Sequence, residues 1–262
     1  MTPLAITLII ILILLWKLDF IATLLNLKAL RPELPSEFAD VFDEKKYEES
    51  QRYTQANSQF HIVSSICSLT VLLLFWTMDG FVWLNELVTG FGFGPILTGL
   101  SYIGLLLIGS QLTELPFSIY STFVIEARFG FNKTTPATFI IDMLKNLLLT
   151  VLLGGGLLAL LLWIFTTVSN AWLWGWIAVT TFSLLLTYLA PTYIMPLFNK
   201  FTPLEEGSLK QAINAMAEKC QFPLTELFVI DGSKRSTKAN AFFTGFGKQK
   251  NCLLYTSDAA DD

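Results

Sequence analysis

At 262 residues, with 53% apolar side chains and a mean hydropathy of +0.57, the chain is too apolar for an ordinary soluble domain, and a bilayer is its natural solvent. Asp258, Asp261 and Asp262 supply three units of the formal charge of −4; the remainder is near neutral, and no nucleic-acid partner is expected. Cys67, Cys220 and Cys252 are odd in number and lack CxxC spacing, so they read as free thiols with structural roles and not as a redox or metal pair.

The first apolar run, Pro3 to Trp16, continues past Lys17 and Asp19 through Leu25, giving the roughly 20 residues needed to cross a bilayer. No basic region precedes it and no small-residue cleavage site follows, so it reads as a span and not as a signal peptide. Lys28 to Gln59, with ELPSEF and FDEKKYEES inside it, is predicted to be a charged loop with some helix. A second span covers Phe60 to Met78. Asp79 to Gly94 carries Phe81, Trp83, Phe91 and Phe93 without Lys or Arg, and is predicted to be a short interfacial loop. The third span, Pro95 to Phe123, contains Pro116, whose missing amide donor should kink it. The fourth, Ala137 to Val168, holds Gly154, Gly155 and Gly156, small residues that would permit close helix packing. The fifth, Ala171 to Phe198, begins with Trp172, Trp174 and Trp176.

Short cytoplasmic loops accumulate Lys and Arg. Lys28, Arg31, Lys45, Lys46 and Arg52 follow the first span, Arg128 and Lys133 the third, and Lys200 the fifth, while the opposite loops have none. The amino terminus is therefore expected outside and everything after Phe198 in the cytoplasm. Asn132-Lys133-Thr134 has glycosylation spacing, but this orientation puts it where that modification does not occur.

Beyond Lys200, Leu204 to Cys220 reads as a soluble amphipathic helix with Leu209, Ile213, Met216 and Ala217 on one face. After Pro223, two apolar runs, Leu227 to Ile230 and Ala241 to Phe246, flank a polar connection with Gly232, Lys234, Arg235 and Lys238, a strand-turn-strand pattern. The predicted class is mainly α, a polytopic bundle of five spans followed by a small cytoplasmic α+β segment. Its parts are a membrane domain over residues 1–198 with a cytoplasmic loop at 28–59, a helix with two strands over 199–250, and a tail over 251–262.

Four stretches carry a family likeness: YEESQRYTQANSQFHI (Tyr47 to Ile62), EARFGFNKTTPATFIIDMLK (Glu126 to Lys145), PTYIMPLFNKFTPLEEG (Pro191 to Gly207), and DGSKRS followed by NAFFTGFGK. In wording and order they resemble type I CAAX prenyl proteases, integral-membrane zinc metallopeptidases. The resemblance implies that residues 199–250 are the start of a peptidase domain, and that HExxH would follow shortly after Lys250. The text from Asn251 on, NCLLYTSDAADD, departs from the family after Tyr255; a truncated or frame-shifted reading with a non-native tail is expected.

Zinc chemistry of this class needs two imidazoles one helical turn apart with a carboxylate between them. His61 is the sole histidine and has no second ligand at suitable spacing, so it reads as an interfacial residue. No metal ligand and no catalytic residue is assigned; zinc is the cofactor of the complete enzyme, and this piece alone is expected to be inactive. By resemblance Asn240, Ala241, Phe242, Phe243 and Thr244 correspond to the strand bordering the active site, against which an extended peptide would lie. Asn240 would anchor substrate or only close the turn, and Phe242 stands where a tyrosine is usual. Arg235 and Lys238 read as solvated turn charges.

Ionisable side chains facing lipid cost roughly 2.5 to 3.5 kcal/mol on insertion scales, so the polar residues of the spans should face inward. Ser110, Glu114 and Ser118 recur at helical spacing beside Gln111, and Asp142 and Lys145 stand three apart and can pair. These groups would glue helices together or line a wet chamber; the family resemblance favours Ser110, Glu114 and Ser118 as cavity-lining. The reading that results is a membrane-embedded zinc metalloendopeptidase of the CAAX prenyl protease type. Its partners would be the lipid bilayer and a peptide or protein substrate, prenylated or another membrane protein. FGFNKTTP and Lys238 lean towards a prokaryotic cytoplasmic membrane, with the endoplasmic reticulum as the alternative. The rivals are a non-enzymatic carrier or channel whose polar stripes line a solute path, and a scaffold that binds lipidated peptides.

Overall fold

The computed structural model describes residues 2–41, 43–238, 240–246 and 249–255. It divides into two compact units, Met1–Phe93 with Ser101–Phe129, and Gly94–Leu100 with Gly130–Asp262. Five helices are long and apolar enough to cross a membrane: Pro3–Ala29, Glu44–Thr77, Pro95–Glu126, Pro136–Thr167 and Ala171–Phe198. Each covers one of the five spans expected from hydropathy, the second and fourth helices ending one residue before the expected Met78 and Val168.

In the first unit, helix α1 (Pro3–Ala29) starts at Thr2, whose hydroxyl accepts the Ala5 amide at 3.3 Å, with Pro3 in the first turn where no amide is needed. Helix α2 (Glu44–Thr77) starts at Asp43, whose carboxylate accepts the Lys46 amide at 3.0 Å. The segment Lys28 to Gln59, expected as a charged loop with some helix, is helical from Glu44 onward. At about 1.5 Å per residue, α2 carries its polar first half well outside the apolar second half. Two polar contacts join the helices: Trp16 Nε1 donates to Ser65 Oγ at 3.3 Å, and His61 Nε2 lies 3.0 Å from Asp19 Oδ2.

Asp79 to Gly94, expected as a loop, contains helix α3 (Gly80–Thr89). Leu84 and Val88, four residues apart, are buried on its inner side, and Phe81 packs edge-on against Phe75 and Trp76. Those anchors fold the segment; aromatic content alone gave no hint of a period. Helix α4 (Pro95–Tyr120) continues past Pro116 and passes into a π-helical turn, Ser121–Glu126.

In the second unit, helix α5 (Pro136–Leu149) is capped by Thr135, whose Oγ1 accepts the Thr138 amide at 3.1 Å. A π-helical turn, Thr150–Gly154, leads into α6 (Gly155–Thr167). Helix α7 (Ala171–Leu189) passes through a second such turn, Ala190–Ile194, into α8 (Met195–Phe198). The close packing expected at the glycine run lies elsewhere. A Cβ added at Gly155 or Gly156 would meet no atom within 4 Å, whereas one at Gly99 would lie 2.8 Å from Leu162 and one at Gly175 3.0 Å from Phe165.

Four strands form one sheet in the order β1 (Phe201–Pro203), β2 (Leu224–Ile230), β4 (Gln249–Tyr255), β3 (Ala241–Phe246). The β1–β2 and β3–β4 pairs are antiparallel and β2–β4 is parallel. The expected strand-turn-strand is therefore no hairpin, because β4 lies between its two strands. Residues 251–255, expected in the tail, complete β4 by pairing Cys252 with both Leu227 and Phe243; residues 256–262 lie outside the described residues. Leu227, Ile230, Cys252 and Leu253 are buried and form the core of the sheet.

Helix α9 (Ser208–Lys219) buries only Ala217. At 100° per residue its apolar residues span an arc with Ile213 and Ala217 at one edge and Leu209 and Met216 at the other. The first edge turns inward, while Leu209 and Met216 stay 57% and 59% exposed, so the expected single buried face is only half covered.

Candidate functional site

Arg235 follows a short 3-10 turn, Gly232–Lys234, at the point where three of the family-like stretches meet. Its guanidinium takes Asp142 of α5 in both hands, Nε to Oδ2 at 2.7 Å and Nη2 to Oδ1 at 3.0 Å. Nη1 donates to Asn199 Oδ1 at 3.0 Å and Nη2 to the Phe198 carbonyl at 2.8 Å, so the end of the fifth span is held as well. A planar fork with five donors suits this arrangement of acceptors. Arg235 was expected to be solvated; it is 27% exposed, and the partners that remove it from water lie 36 to 93 residues away.

The backbone of the same residue is fixed from the other side. The Arg235 carbonyl accepts the Lys133 amide at 3.1 Å and Thr134 Oγ1 at 3.2 Å, and Thr237 bonds to Phe131 and Gly130. Lys238, also expected in solvent, sets its ammonium 4.7 Å from the centre of the Phe131 ring. Asp142 and Lys145, expected to pair with each other, each take a partner from the returning chain instead. Lys145 Nζ donates to the Leu197 carbonyl at 2.7 Å and lies 5.6 Å from the Phe198 ring centre.

Asp231 joins the start of β1 to the end of β2, its Oδ1 accepting the Lys200 amide at 2.6 Å while Oδ2 meets the Lys234 ammonium. Burial alone would raise its pKa; the Lys234 ammonium and the Lys200 amide outweigh that and hold it below the usual carboxylate range.

β3 is an edge strand, hydrogen-bonded to β4 on one side, and β1 forms the other edge of the sheet. Ala241 and Phe243 are exposed while Phe242 and Thr244 are half-buried, the period-two alternation of a strand. The Phe243 ring is 53% exposed and rests against Phe222 with centres 4.6 Å apart. Asn240 is exposed, and its Oδ1 accepts the next amide, that of Ala241, at 2.8 Å.

In the other unit, Glu114 accepts a hydrogen bond from Ser68 Oγ at 2.6 Å, linking α4 to α2. Ser110 and Ser118 lie exposed on the same face of α4. Tyr53 donates to Glu126 at the end of that helix. His61 is engaged with Asp19.

A family profile described as the CAAX prenyl protease N-terminal region with five membrane helices matches residues 23–200. The chain belongs to the CAAX prenyl protease N-terminal family. A second profile, peptidase family M48, matches residues 203–257, which take in α9 and strands β2, β3 and β4. The chain is 40% identical over 237 residues to CAAX prenyl protease 1 homolog of Oryza sativa subsp. japonica, covering 86% of this chain and 55% of that protein. It is 41% identical over 225 residues to CAAX prenyl protease 1 of Saccharomyces cerevisiae, covering 81% and 49%. The crystal structure of S. mikatae Ste24p superposes with a TM-score of 0.88 at 34% identity, covering 98% of this chain and 62% of that one. The chain spans about half the length of these two relatives.

The match to peptidase family M48 implies a metal. The residues present do not fit one: no group of three or more His, Cys, Asp or Glu among the described residues could hold an ion, and the sequence contains a single histidine. What the arrangement can do is present a sheet edge and hold it in place. The Arg235 anchor had a signal in the sequence, since Asp142 is an acid inside a span, but its partner 93 residues away leaves no local trace.

Proposed function

We propose that this chain is the membrane-embedded, peptide-presenting portion of a CAAX prenyl protease-type zinc endopeptidase. The observation that carries the reading is the edge position of β3 in a chain of this family. An extended peptide pairs with such an edge through its main chain, while alternate side chains meet pockets on the two faces. Asn240 fixes the start of the edge through the Ala241 amide, Ala241 and Phe243 offer an apolar outer surface, and Phe242 and Thr244 face the other side. The substrate is a prenylated carboxyl-terminal tail or another membrane protein. The zinc and the base that deprotonates its water belong to residues outside those described.

The spans set this edge at the membrane. The basic residues after the first, third and fifth spans favour a cytoplasmic sheet, with Ser110, Glu114 and Ser118 lining a polar chamber within the bilayer. The relatives named above are eukaryotic, which favours the endoplasmic reticulum over a prokaryotic membrane for the intact protein.

Crosslinking tests the reading. The chain carrying a photoreactive phenylalanine analogue at Phe243 is placed in nanodiscs with a farnesylated peptide. Efficient crosslinking at Phe243, with little at a control position such as Phe91, is expected; equal yield at both, or none at either, refutes it.

A further inference from the structure

We infer that Arg235 is the positioning residue of the β3 edge, holding the beginning of that strand in place against the fourth and fifth spans. The inference rests on the peptide-edge reading and adds what fixes the edge. Four residues separate Arg235 from Asn240. Over that distance the chain could swing freely if only β4 held it. Instead Arg235 is tied at both ends of the residue. Its side chain reaches Asp142 on α5 and Phe198 and Asn199 at the end of the fifth span, and its carbonyl takes Lys133 and Thr134 from the connection that precedes α5. Thr237 repeats the backbone tie two residues later, to Phe131 and Gly130.

The chemistry of the clamp makes the inference specific to arginine. Four acceptor contacts lie around one planar group: two carboxylate oxygens, an amide oxygen and a main-chain carbonyl. An ammonium is a point charge with three donors and cannot hold the carboxylate in two hands while keeping the other two in the same plane. Arg235→Lys therefore keeps the charge and loses the geometry. A site held about 1 Å too loosely loses much of its function even when every residue of it is present.

The test uses the whole chain in nanodiscs and two readings. The first is the crosslinking yield at Phe243 described above. The second is the distribution of distances between spin labels at Leu148→Cys on α5 and Glu226→Cys on β2, with the native cysteines replaced. Arg235→Lys is expected to cut the yield about tenfold and to widen the distance distribution while the thermal unfolding midpoint moves by only a few degrees. Asp142→Asn should behave in the same way, and Asp142→Glu, which keeps a carboxylate, should recover much of the yield. An Arg235→Lys chain with unchanged yield, or with a distribution as narrow as the parent's, overturns the proposal. So does a yield that returns to the parent's once corrected for the folded fraction, because that is a purely structural role. If the parent fails to crosslink at Phe243 while Arg235→Lys still widens the distribution, the peptide-edge reading falls and the positioning of the strand stands.

Discussion

Arg235 and Asp142, 93 residues apart in the chain, meet in a two-pronged ion pair with both contacts at 3.0 Å or less. One stands on a turn of the sheet and the other inside a membrane span. The pair is about a quarter exposed or less on each side, so removing one partner leaves a charge that water reaches poorly. Arg235→Ala is expected to destabilise the chain by about 2 kcal/mol, and Arg235→Lys by less than about 1 kcal/mol. Unfolding in detergent, followed by circular dichroism, measures both.

Asp231 gives the sheet an acid limit. Its carboxyl sits below its ordinary 3.8 in the folded chain and at about that value when unfolded. The stabilisation it provides is therefore complete above about pH 4 and disappears as the pH falls through the depressed folded value. Asp231→Asn should be less stable near neutrality and should show a flatter decline below pH 4. A parallel decline in the two chains would show that Asp231 is not the group responsible.

The cysteines should separate by reactivity. Cys220 is exposed at the end of α9, whereas Cys252 is 3% exposed in the middle of the sheet and burial pushes its thiol pKa up. A water-soluble maleimide is expected to modify Cys220 at least about tenfold faster than Cys252, and the difference should vanish in denaturant. Equal rates in the native chain would mean that residues 251–255 do not pair as β4.

Two glycines make a contrast. A Cβ at Gly80 would lie 2.5 Å from the Phe75 ring and 2.6 Å from its carbonyl oxygen, so Gly80→Ala should cost about 1–3 kcal/mol. At Gly156 nothing lies within 4 Å, and alanine there should be neutral or stabilising by up to about 1 kcal/mol. Thermal unfolding of the two variants decides it.

The 262-residue chain contains one histidine and no HExxH. Purified and supplied with zinc, it should release no chelator-sensitive cleavage product from a farnesylated peptide, as followed by mass spectrometry. Cleavage that stops on chelation would show that a metal is held by residues other than the family's motif.

The spans were legible because twenty apolar residues in a row leave one physical solution, and Phe60 to Met78 or Ala171 to Phe198 needs no knowledge of the rest of the chain. The β2 and β3 segments were legible for a similar local reason. Long-range pairing was not. Nothing near Arg235 distinguishes a solvated turn arginine from one that crosses to Asp142, and nothing in Leu227 to Ile230 says that its neighbour is Cys252 to Tyr255 and not Ala241 to Phe246. Helix α3 was missed because its buried residues, Gly80, Leu84 and Val88, are three positions in ten among aromatics that suggested an interface. In α9 the period places Leu209, Ile213, Met216 and Ala217 on one arc, but periodicity fixes which residues share an arc and not which edge of it is covered.

The sheet order has a consequence for biosynthesis. A ribosome that has just delivered Phe246 has already made β1, β2 and β3, yet only the first two are neighbours. β3 must wait, with Phe243 outward and both its edges unsatisfied, until Gln249–Tyr255 slides in beside β2. The sheet therefore closes only once residue 255 has been made, and a chain cut back to Phe246 should leave β3 without the strand it pairs with.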